Sequence, residues 1–245
     1  MFKNSSKTII VILIVTNFIS AGLFISVTIK PQIQKKPGED VIRDVKSVYS
    51  YKDNIKYIEK MSLYSVYGKK AQIVMLGNSI TARVDWSELL NRNDILNRGI
   101  DADITEGFLS RMETIYSVNP KVCFIMGGIN DIAKHIPSEQ TIENIEQIVE
   151  GLKQHNIIPV LQSILYVTDT YPDNIQMNLK IGTLNSELEK VAQESNIKFL
   201  NLNNLLSSDN KLIKEFALSD GIHLTGLGYK KWAAILLENL TGSGL

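Results

Sequence analysis

The stretch Ile73-Val74-Met75-Leu76-Gly77-Asn78-Ser79 decides the fold of this chain. Its apolar run is typical of a strand buried on both faces, and the Gly-Asn pair that follows is typical of a sharp turn. A serine directly after such a turn would sit near the N-terminus of the next helix, where free backbone N–H groups favour an anion. The stretch therefore predicts a strand, a turn and a helix, with Ser79 as a candidate nucleophile.

The rest of the chain alternates short apolar runs with longer helical patterns, which is typical of a parallel sheet covered by helices on both faces. The predicted strands are 72–76, 95–97, 121–126, 157–162 and 197–201. The predicted helices are 104–117, 138–155, 174–195 and 225–240, after a helical preamble at 41–70. The sequence thus predicts an α/β fold on a small, doubly wound, five-stranded parallel sheet.

Composition limits the kinds of partner that the chain can have. Its 245 residues carry no formal net charge, and 44% of them are apolar, enough for one well-cored domain. Without a basic stripe, a nucleic-acid partner is not expected. Cys123 is the only cysteine, so no intramolecular disulfide can form, and it is interpreted as a buried apolar residue. His135 and His155 lack partners at ligand spacing, so no metal site is predicted.

The N-terminal segment predicts a membrane anchor. Residues 8–29 are mostly apolar and carry no charge, and this run is long enough to span a bilayer as a helix. A cleaved signal peptide remains the alternative, although its apolar core would be shorter than this one. The small residues that could form a cleavage site, Ser20-Ala21-Gly22, lie in the middle of the apolar run. The predicted organisation is a transmembrane signal-anchor at 1–29, a short stalk at 30–40 and one catalytic domain at 41–245. The partner of the anchor is the membrane.

The basic residues on the two sides of this anchor favour opposite orientations. Lys3 and Lys7 compete with Lys30, Lys35 and Lys36 under the positive-inside rule. We expect a membrane-anchored protein whose catalytic domain is extracytoplasmic.

Polar residues follow the predicted strands, where open parallel sheets form their sites. Ser79 follows the first strand, and Gly99 follows the second, where the lack of a Cβ lets its N–H approach a reacting carbonyl. Asn130 follows the third and carries a neutral amide donor suited to an oxyanion. Asp220 and His223, three residues apart before the last helix, can bring a carboxylate to an imidazole. Together they predict a nucleophilic site.

Each of these residues also has an ordinary structural explanation. Ser79 alone would be a helix N-cap, and Gly99 and Asn130 would be turn residues. Asp220 alone would be a solvated loop acid, and His223 a packed or surface histidine. The functional interpretation is preferred because five independent accidents would have to occur in one order.

Four short motifs carry a resemblance to a known family. They are Gly77-Asn78-Ser79-Ile80, Asn97-Arg98-Gly99-Ile100, Gly128-Ile129-Asn130-Asp131 and Asp220-Gly221-Ile222-His223. In this order they resemble the SGNH hydrolases, also called GDSL lipases/esterases, over about residues 72 to 240. The resemblance implies a three-layer α/β/α sandwich, flavodoxin-like in appearance. It also implies hydrolysis of an ester or thioester without a metal or cofactor.

The resemblance also implies a role for each motif residue. Ser79 would attack the acyl carbon, His223 would take its proton, and Asp220 would orient the imidazole. The N–H groups of Ser79 and Gly99 and the amide of Asn130 would form the oxyanion hole. A rival nucleophile elbow of the Gly-x-Ser-x-Gly type is disfavoured by the sequence around Ser79.

The chain departs from the family pattern at two places. Asn78 stands where the family usually has aspartate, and its carbonyl oxygen can still bridge the turn. Ala102 and Asp103 stand where the family often has glycine. Neither departure changes a group that makes or breaks bonds. Asp131 is interpreted as a cap or loop-shaping residue rather than a second base.

Three functions stay open at this point. The first is an esterase that removes a small acyl group, such as acetyl, from a carbohydrate or lipid; short chains are expected because the sequence shows no long helical lid. The second is an O-acyltransferase using the same serine, and the third is a binding module that no longer catalyses. Tyr166 and Tyr171 are candidates either for the substrate cleft or for loop packing. Trp86 and Phe108 are further candidates for the cleft.

Overall fold

The computed structural model describes residues 49–241. The predicted signal-anchor at 1–29, the stalk at 30–40 and the start of the predicted catalytic domain at 41–48 lie outside the described residues. Among residues 49–241, no helix combines the length and the apolar character needed to cross a bilayer.

A single five-stranded parallel sheet forms the centre of the fold. Its strands are β1 Ile73–Gly77, β2 Ile95–Gly99, β3 Val122–Met126, β4 Ile158–Gln162 and β5 Lys198–Leu200. They lie in the order β2-β1-β3-β4-β5, and every pairing is parallel. The predicted α/β fold and its five strands are confirmed. Because β1 lies between β2 and β3, the chain changes direction around it, and such a switch point opens a crevice at the carboxyl ends of the strands.

Ten helices surround the sheet within the described part of the chain. They are α1 Ile55–Tyr64, α2 Ser79–Ala82, α3 Trp86–Leu89, α4 Thr105–Ser110, α5 Glu113–Tyr116, α6 Ile129–Ala133, α7 Ser138–Gln154, α8 Asn174–Glu194, α9 Asn203–Leu206 and α10 Gly226–Thr241. Two 3-10 turns, Tyr51–Asp53 and Lys214–Phe216, and a small hairpin, β6 Ser207–Ser208 with β7 Lys211–Leu212, complete the described elements.

The prediction of one continuous helix at 104–117 is wrong. The chain forms α4 and α5 instead, because Arg111 leaves helical geometry with φ −114° and ψ 17°. Its side chain turns inward to a buried carboxylate and a strand carbonyl rather than outward to solvent. The break between the helices therefore follows from a polar contact that periodicity does not reveal.

Two apolar cores lie on opposite faces of the sheet, since successive side chains of a strand point to opposite faces. Val74 and Leu76 of β1 join one core with helices α4 to α8, whereas Ile73 and Met75 join the other with α3, α9 and α10. The sheet therefore lies between two helical layers. Cys123 is fully buried in the first core, and burial raises its pKa to about 12, so the prediction of a packing residue is confirmed.

The segment before β1 packs on the loop that follows β2. The Tyr49 hydroxyl donates to the carbonyl of Ala102 at 2.8 Å, and the Asn54 amide donates to the carbonyl of Asp101 at 2.8 Å. Tyr64 in α1 is buried against the same region. Ala102 has φ 58°, a left-handed conformation that an alanine adopts only when its surroundings hold it there. The preamble therefore fixes a loop at the carboxyl edge of the sheet.

Candidate active site

Ser79, His223 and Asp220 form one continuous line of hydrogen bonds. The imidazole Nε2 of His223 lies 2.9 Å from Ser79 Oγ, although the two residues are 144 positions apart. On its other side, His223 Nδ1 lies 2.6 Å from Asp220 Oδ2. The structure therefore brings these three predicted residues together at the carboxyl edge of the sheet. Such a line lets a hydroxyl lose its proton to the imidazole while the carboxylate holds the other ring nitrogen.

The turn that presents Ser79 is stabilised by the residue before it. Asn78 is the N-cap of α2, and its side-chain oxygen accepts the N–H of Ile80 at 3.0 Å. Asn78 therefore bridges the turn through its carbonyl oxygen, as predicted. From the C-terminal helix α10, the Tyr229 hydroxyl donates to the carbonyl of Ile80 at 2.8 Å. Helix α2 is thus held from both sides, and the Ser79 side chain remains only slightly exposed.

The carboxylate of Asp220 is held in its ionised form by hydrogen bonds. Burial alone would raise its pKa, but the backbone N–H of His223, the imidazole and the N–H of Ile222 all donate to it and lower the pKa to about 2. The imidazole is more enclosed than its partner, with 13% of the His223 side chain exposed against 44% for Asp220. At neutral pH the site therefore presents a carboxylate to the imidazole.

The Asp220–His223 turn requires glycine at position 221. Gly221 has φ 74°, and a Cβ there would lie 2.5 Å from Thr168 Oγ1. The N–H of Thr168 donates to the Gly221 carbonyl at 2.9 Å, so the loop after β4 supports the turn from outside. Tyr171 belongs to this loop, and its backbone nitrogen lies 3.0 Å from the same Cβ position. Tyr171 therefore borders the histidine turn.

Two of the three predicted oxyanion donors are available to a substrate. Ser79 begins α2, so its backbone N–H has no carbonyl of an earlier helical turn to donate to. Asn130 is the second residue of α6 and is half-buried. One hydrogen of its amide is donated to the carbonyl of Asp103 at 2.8 Å. The amide has a second hydrogen, which can serve an oxyanion.

Gly99 does not offer its N–H to a substrate in this structure, which corrects the prediction that it is an oxyanion donor. Its N–H donates to the side-chain oxygen of Asn97 at 2.8 Å. The Asn97 amide in turn donates to the carbonyls of Thr81, Ala82 and Val84, so this side chain is fixed. Gly99 is instead required for packing, because β2 passes close to the backbone of α2.

We expect Gly99→Ala to lower stability. A Cβ at Gly99 would lie 2.4 Å from the backbone nitrogen of Ala82, and backbone atoms cannot move aside as a flexible side chain can. Such overpacking typically costs about 1–3 kcal/mol. Chemical denaturation measures this loss, and Gly68→Ala is the control because no atom lies within 4 Å of a Cβ at that position. Equal stability of the two variants would contradict the packing role.

Asp131, a fully buried acid, fixes the segment that carries Asn130. Asp131 Oδ1 accepts both the N–H of Thr105 at 3.1 Å and its hydroxyl at 2.6 Å. The Asn144 amide donates to the same hydroxyl at 3.0 Å. Burial raises the pKa of Asp131, while these hydrogen bonds oppose the rise. Asp131 thus caps the start of α4 although it belongs to a later segment of the chain. This agrees with its interpretation as a cap or loop-shaping residue.

The aromatic candidates for the cleft differ in their exposure and in their surroundings. Trp86 and Phe108 are buried, one in each of the two cores. Tyr166 lines a cavity of about 370 Å³ between α8, β5 and the small hairpin. This cavity contains neither Ser79 nor His223 among its lining residues.

Sequence reasoning missed the pair formed by Asp103 and Arg111. Arg111 Nε donates to Asp103 Oδ2 at 2.9 Å, and both side chains are fully buried. A signal was available in the sequence, since Arg111 lies at helical spacing from the apolar residues Ile104, Phe108 and Ile115. A charged residue at such a position is rarely buried without a partner.

The fold and this line of side chains together indicate one kind of enzyme. A serine, a histidine and a carboxylate hydrogen-bonded in series beyond the strands of an α/β sheet are the arrangement of serine-dependent acyl hydrolases. The sequence model of the GDSL-like lipase/acylhydrolase family matches residues 75–231, well over half of the chain. The chain therefore belongs to the GDSL-like lipase/acylhydrolase family.

Individual relatives agree with this membership. The chain is 24% identical over 168 residues to the isoamyl acetate-hydrolyzing esterase of Saccharomyces cerevisiae, covering 62% of this chain and 71% of that protein. It is 25% identical over 198 residues to a GDSL esterase/lipase of Arabidopsis thaliana, covering 65% of this chain and 81% of that protein. These relatives and the family support the assignment of the chain as an ester hydrolase.

Solved structures show the same fold. A GDSL-like lipase from Bacteroides thetaiotaomicron superposes with a TM-score of 0.66 at 24% identity, over 76% of this chain and 98% of the other. The lipase/acylhydrolase from Enterococcus faecalis gives a TM-score of 0.62 at 22% identity, over 71% and 96%. At these identities the likeness concerns the fold alone.

Proposed function

We propose that this ester hydrolase cleaves small-acyl esters, of the acetyl type, on a carbohydrate or lipid alcohol through a covalent acyl-enzyme on Ser79. The observation that carries the proposal is the pair of contacts made by His223, 2.9 Å to the serine hydroxyl and 2.6 Å to Asp220. These contacts give the serine a base, and they give the base an orienting carboxylate.

In the first half of the reaction, Ser79 Oγ attacks the acyl carbon and its proton passes to His223 Nε2. Asp220 accepts a hydrogen bond from the Nδ1–H group and stabilises the positive charge of the imidazolium. The carbonyl oxygen becomes an oxyanion, which the Ser79 N–H and the Asn130 amide stabilise. The tetrahedral intermediate then collapses, the bond to the alcohol oxygen breaks, and His223 donates its proton to the departing alkoxide.

In the second half, water replaces the alcohol. His223 removes a proton from the water as its oxygen attacks the acyl carbon of the Ser79 ester. A second oxyanion forms at the same donors and collapses, and the Oγ leaves with the proton held by His223. The products are a carboxylic acid and the free hydroxyl of Ser79.

Asn130→Ala tests the oxyanion role directly. The variant removes an amide donor from the half-buried start of α6, and one such donor contributes about 100- to 1,000-fold to kcat. We expect a loss of that size in kcat, measured at saturating ester, with an unfolding midpoint close to that of the wild type. The neighbouring Lys134→Ala, at the exposed end of the same segment, is the control and should keep its kcat. A wild-type kcat for Asn130→Ala would remove this residue from the mechanism.

The acyl group is proposed to be small on two grounds. The yeast relative is named for hydrolysing isoamyl acetate, an ester whose acyl part is acetyl. Within residues 49–241, the helices that directly follow β1, β2 and β3 are α2, α4 and α6, and each is too short to cover a long acyl chain as a lid.

Hydrolysis of p-nitrophenyl esters of graded chain length by the full chain tests the acyl proposal. We expect kcat/KM to be highest for acetate and to fall steadily as the acyl chain lengthens. A maximum at long chains would contradict the small-acyl proposal. Free acid, measured without an added alcohol, separates hydrolysis from O-acyl transfer. Acid formed in amounts equal to the p-nitrophenol supports the esterase, whereas p-nitrophenol released only when a sugar is added, with an acylated sugar as the product, supports the transferase.

We also propose that the protein is anchored to a membrane by its N-terminal segment, with the catalytic domain on the extracytoplasmic side. The support is the uncharged apolar run at residues 8–29 of the sequence. Carbonate extraction of membranes, followed by protease treatment of intact cells, tests both parts. Release of the protein by carbonate would contradict the anchor, and full protection from external protease would contradict the orientation.

A further inference from the structure

The buried side chain of Arg111 forms hydrogen bonds to the end of β1 and to the loop after β2. Its Nε donates to Asp103 Oδ2 at 2.9 Å, and its Nη2 donates to the carbonyl oxygen of Gly77 at 3.1 Å. Gly77 ends β1, two residues before Ser79. The side chains of Arg111 and Asp103 are both 0% exposed, so the contacts are fully removed from solvent. One guanidinium thus joins the strand that leads to the nucleophile with the loop after β2.

This pair is a poor way of stabilising a fold. Removing two charges from water costs about as much as their attraction returns, and apolar residues in their place often leave stability equal or higher. Within residues 49–241, Arg111 Nη1 has no hydrogen-bond partner, which adds an unsatisfied buried donor. Burial also raises the pKa of Asp103 to about 6, although Arg111 opposes the rise. The arrangement therefore indicates a role other than stability.

Asp103 extends the connection to the oxyanion donor. Its backbone carbonyl accepts the Asn130 amide at 2.8 Å, while its Oδ1 accepts the N–H of Ile104 at 3.1 Å. The orientation of the Asn130 amide therefore depends on where the Asp103 backbone lies. That backbone is fixed in turn by the contact between the Asp103 carboxylate and Arg111.

We propose that Arg111 is a positioning residue of ester hydrolysis, which sets the separation between the Ser79 hydroxyl and the Asn130 amide. It does so by holding the Gly77 carbonyl with one nitrogen and the Asp103 carboxylate with another. The proposal rests on the roles of Ser79 and Asn130 given above. Arg111 itself is too deeply buried to touch the substrate.

The expected effect is on the transition state rather than on substrate binding. A displacement of about 1 Å between reacting and stabilising groups lowers a rate by about a hundredfold. The ester in its ground state has no oxyanion, so its binding depends little on the position of Asn130. A variant of Arg111 should therefore lower kcat and leave KM nearly unchanged.

Arg111→Lys is the first test, because lysine keeps the charge beside Asp103 but lacks the planar fork that holds two acceptors at once. We expect kcat to fall about tenfold to a hundredfold, with KM within about threefold of the wild type. Arg92→Lys is the matched control, since Arg92 also holds an aspartate, Asp94, with contacts of 2.8 and 2.7 Å. That pair precedes β2, at the opposite end of the strand from the site, so this control should keep its kcat.

The double variant Asp103→Asn/Arg111→Met guards against simple misfolding, because it leaves no unpaired buried charge. We expect it to unfold near the wild-type midpoint while its kcat stays reduced. Wild-type kcat in Arg111→Lys or in the double variant would overturn the positioning role, as would a loss confined to KM. Activity that survives in Ser79→Ala would instead overturn the proposed function, so the two failures are distinct.

Discussion

Ser79→Ala is expected to abolish ester hydrolysis, with kcat lowered by about a million-fold. The reason is chemical, since the acyl-enzyme cannot form without the hydroxyl that lies 2.9 Å from His223 Nε2. The fold should be unaffected, because Ser79 Oγ has the imidazole as its partner and supports no other segment of the described structure. Initial rates with p-nitrophenyl acetate, beside a thermal unfolding curve, measure both expectations.

Ser62→Ala is the matched control for this variant. Ser62 is an exposed serine of α1, outside the strand-end loops, and its removal should leave kcat at the wild-type value. Residual activity in Ser79→Ala within tenfold of the wild type would contradict the nucleophile assignment, provided that the Ser62 variant behaves as expected.

Asp220→Asn is expected to lower kcat by about 10,000-fold. The amide that replaces the carboxylate cannot stabilise an imidazolium, and its NH₂ group can force His223 into the tautomer that donates toward Ser79 instead of accepting from it. The geometry itself should persist, since an asparagine oxygen can still accept the backbone N–H groups of Ile222 and His223. Steady-state kinetics with the same ester measure the loss. Asp53→Asn, at an exposed position in the first 3-10 turn, is the control.

The lowered pKa of Asp220 predicts that stability depends differently on pH in the wild type and in this variant. Because the folded-state pKa is lowered from 3.8 to about 2, the ionised carboxylate contributes stability above pH 3.8, and that contribution is lost as the pH falls through about 2. Wild-type stability should therefore decrease more steeply on acidification than that of Asp220→Asn. Acid denaturation of the two proteins, followed from about pH 5 down to about pH 2, measures this difference. Equal acid sensitivity of the wild type and Asp220→Asn would contradict the lowered pKa.

The sheet could be predicted from sequence because burial on both faces leaves a simple pattern. The strands β1, β3 and β4 are short apolar runs between turn residues, and their predicted bounds lie within one residue of the observed ones. The meeting of Ser79 with His223 could not be inferred from pattern alone, since nothing local encodes a contact across 144 positions. That expectation came from the order of the four motifs and from the rule that sites form at the carboxyl ends of strands.

The details that sequence reasoning missed depend on side-chain orientation. Gly99 has the right residue type and location for an oxyanion donor, yet the Asn97 side chain turns back and takes its N–H. Arg111 breaks a helix whose periodicity is otherwise continuous, because its guanidinium reaches two acceptors inside the protein. Both outcomes are decided by hydrogen bonds of polar side chains, and hydrophobic periodicity carries no information about them.

Mapping of a covalent phosphonate adduct tests directly whether Ser79 is the nucleophile of ester hydrolysis. A p-nitrophenyl phosphonate reacts with an activated serine, releases p-nitrophenol and leaves a phosphonyl group whose site can be read from peptide masses. We expect one adduct per chain, on Ser79, that forms far more slowly in His223→Ala and not at all in Ser79→Ala. An adduct on a different serine, or labelling of Ser79→Ala at the wild-type rate, would contradict it.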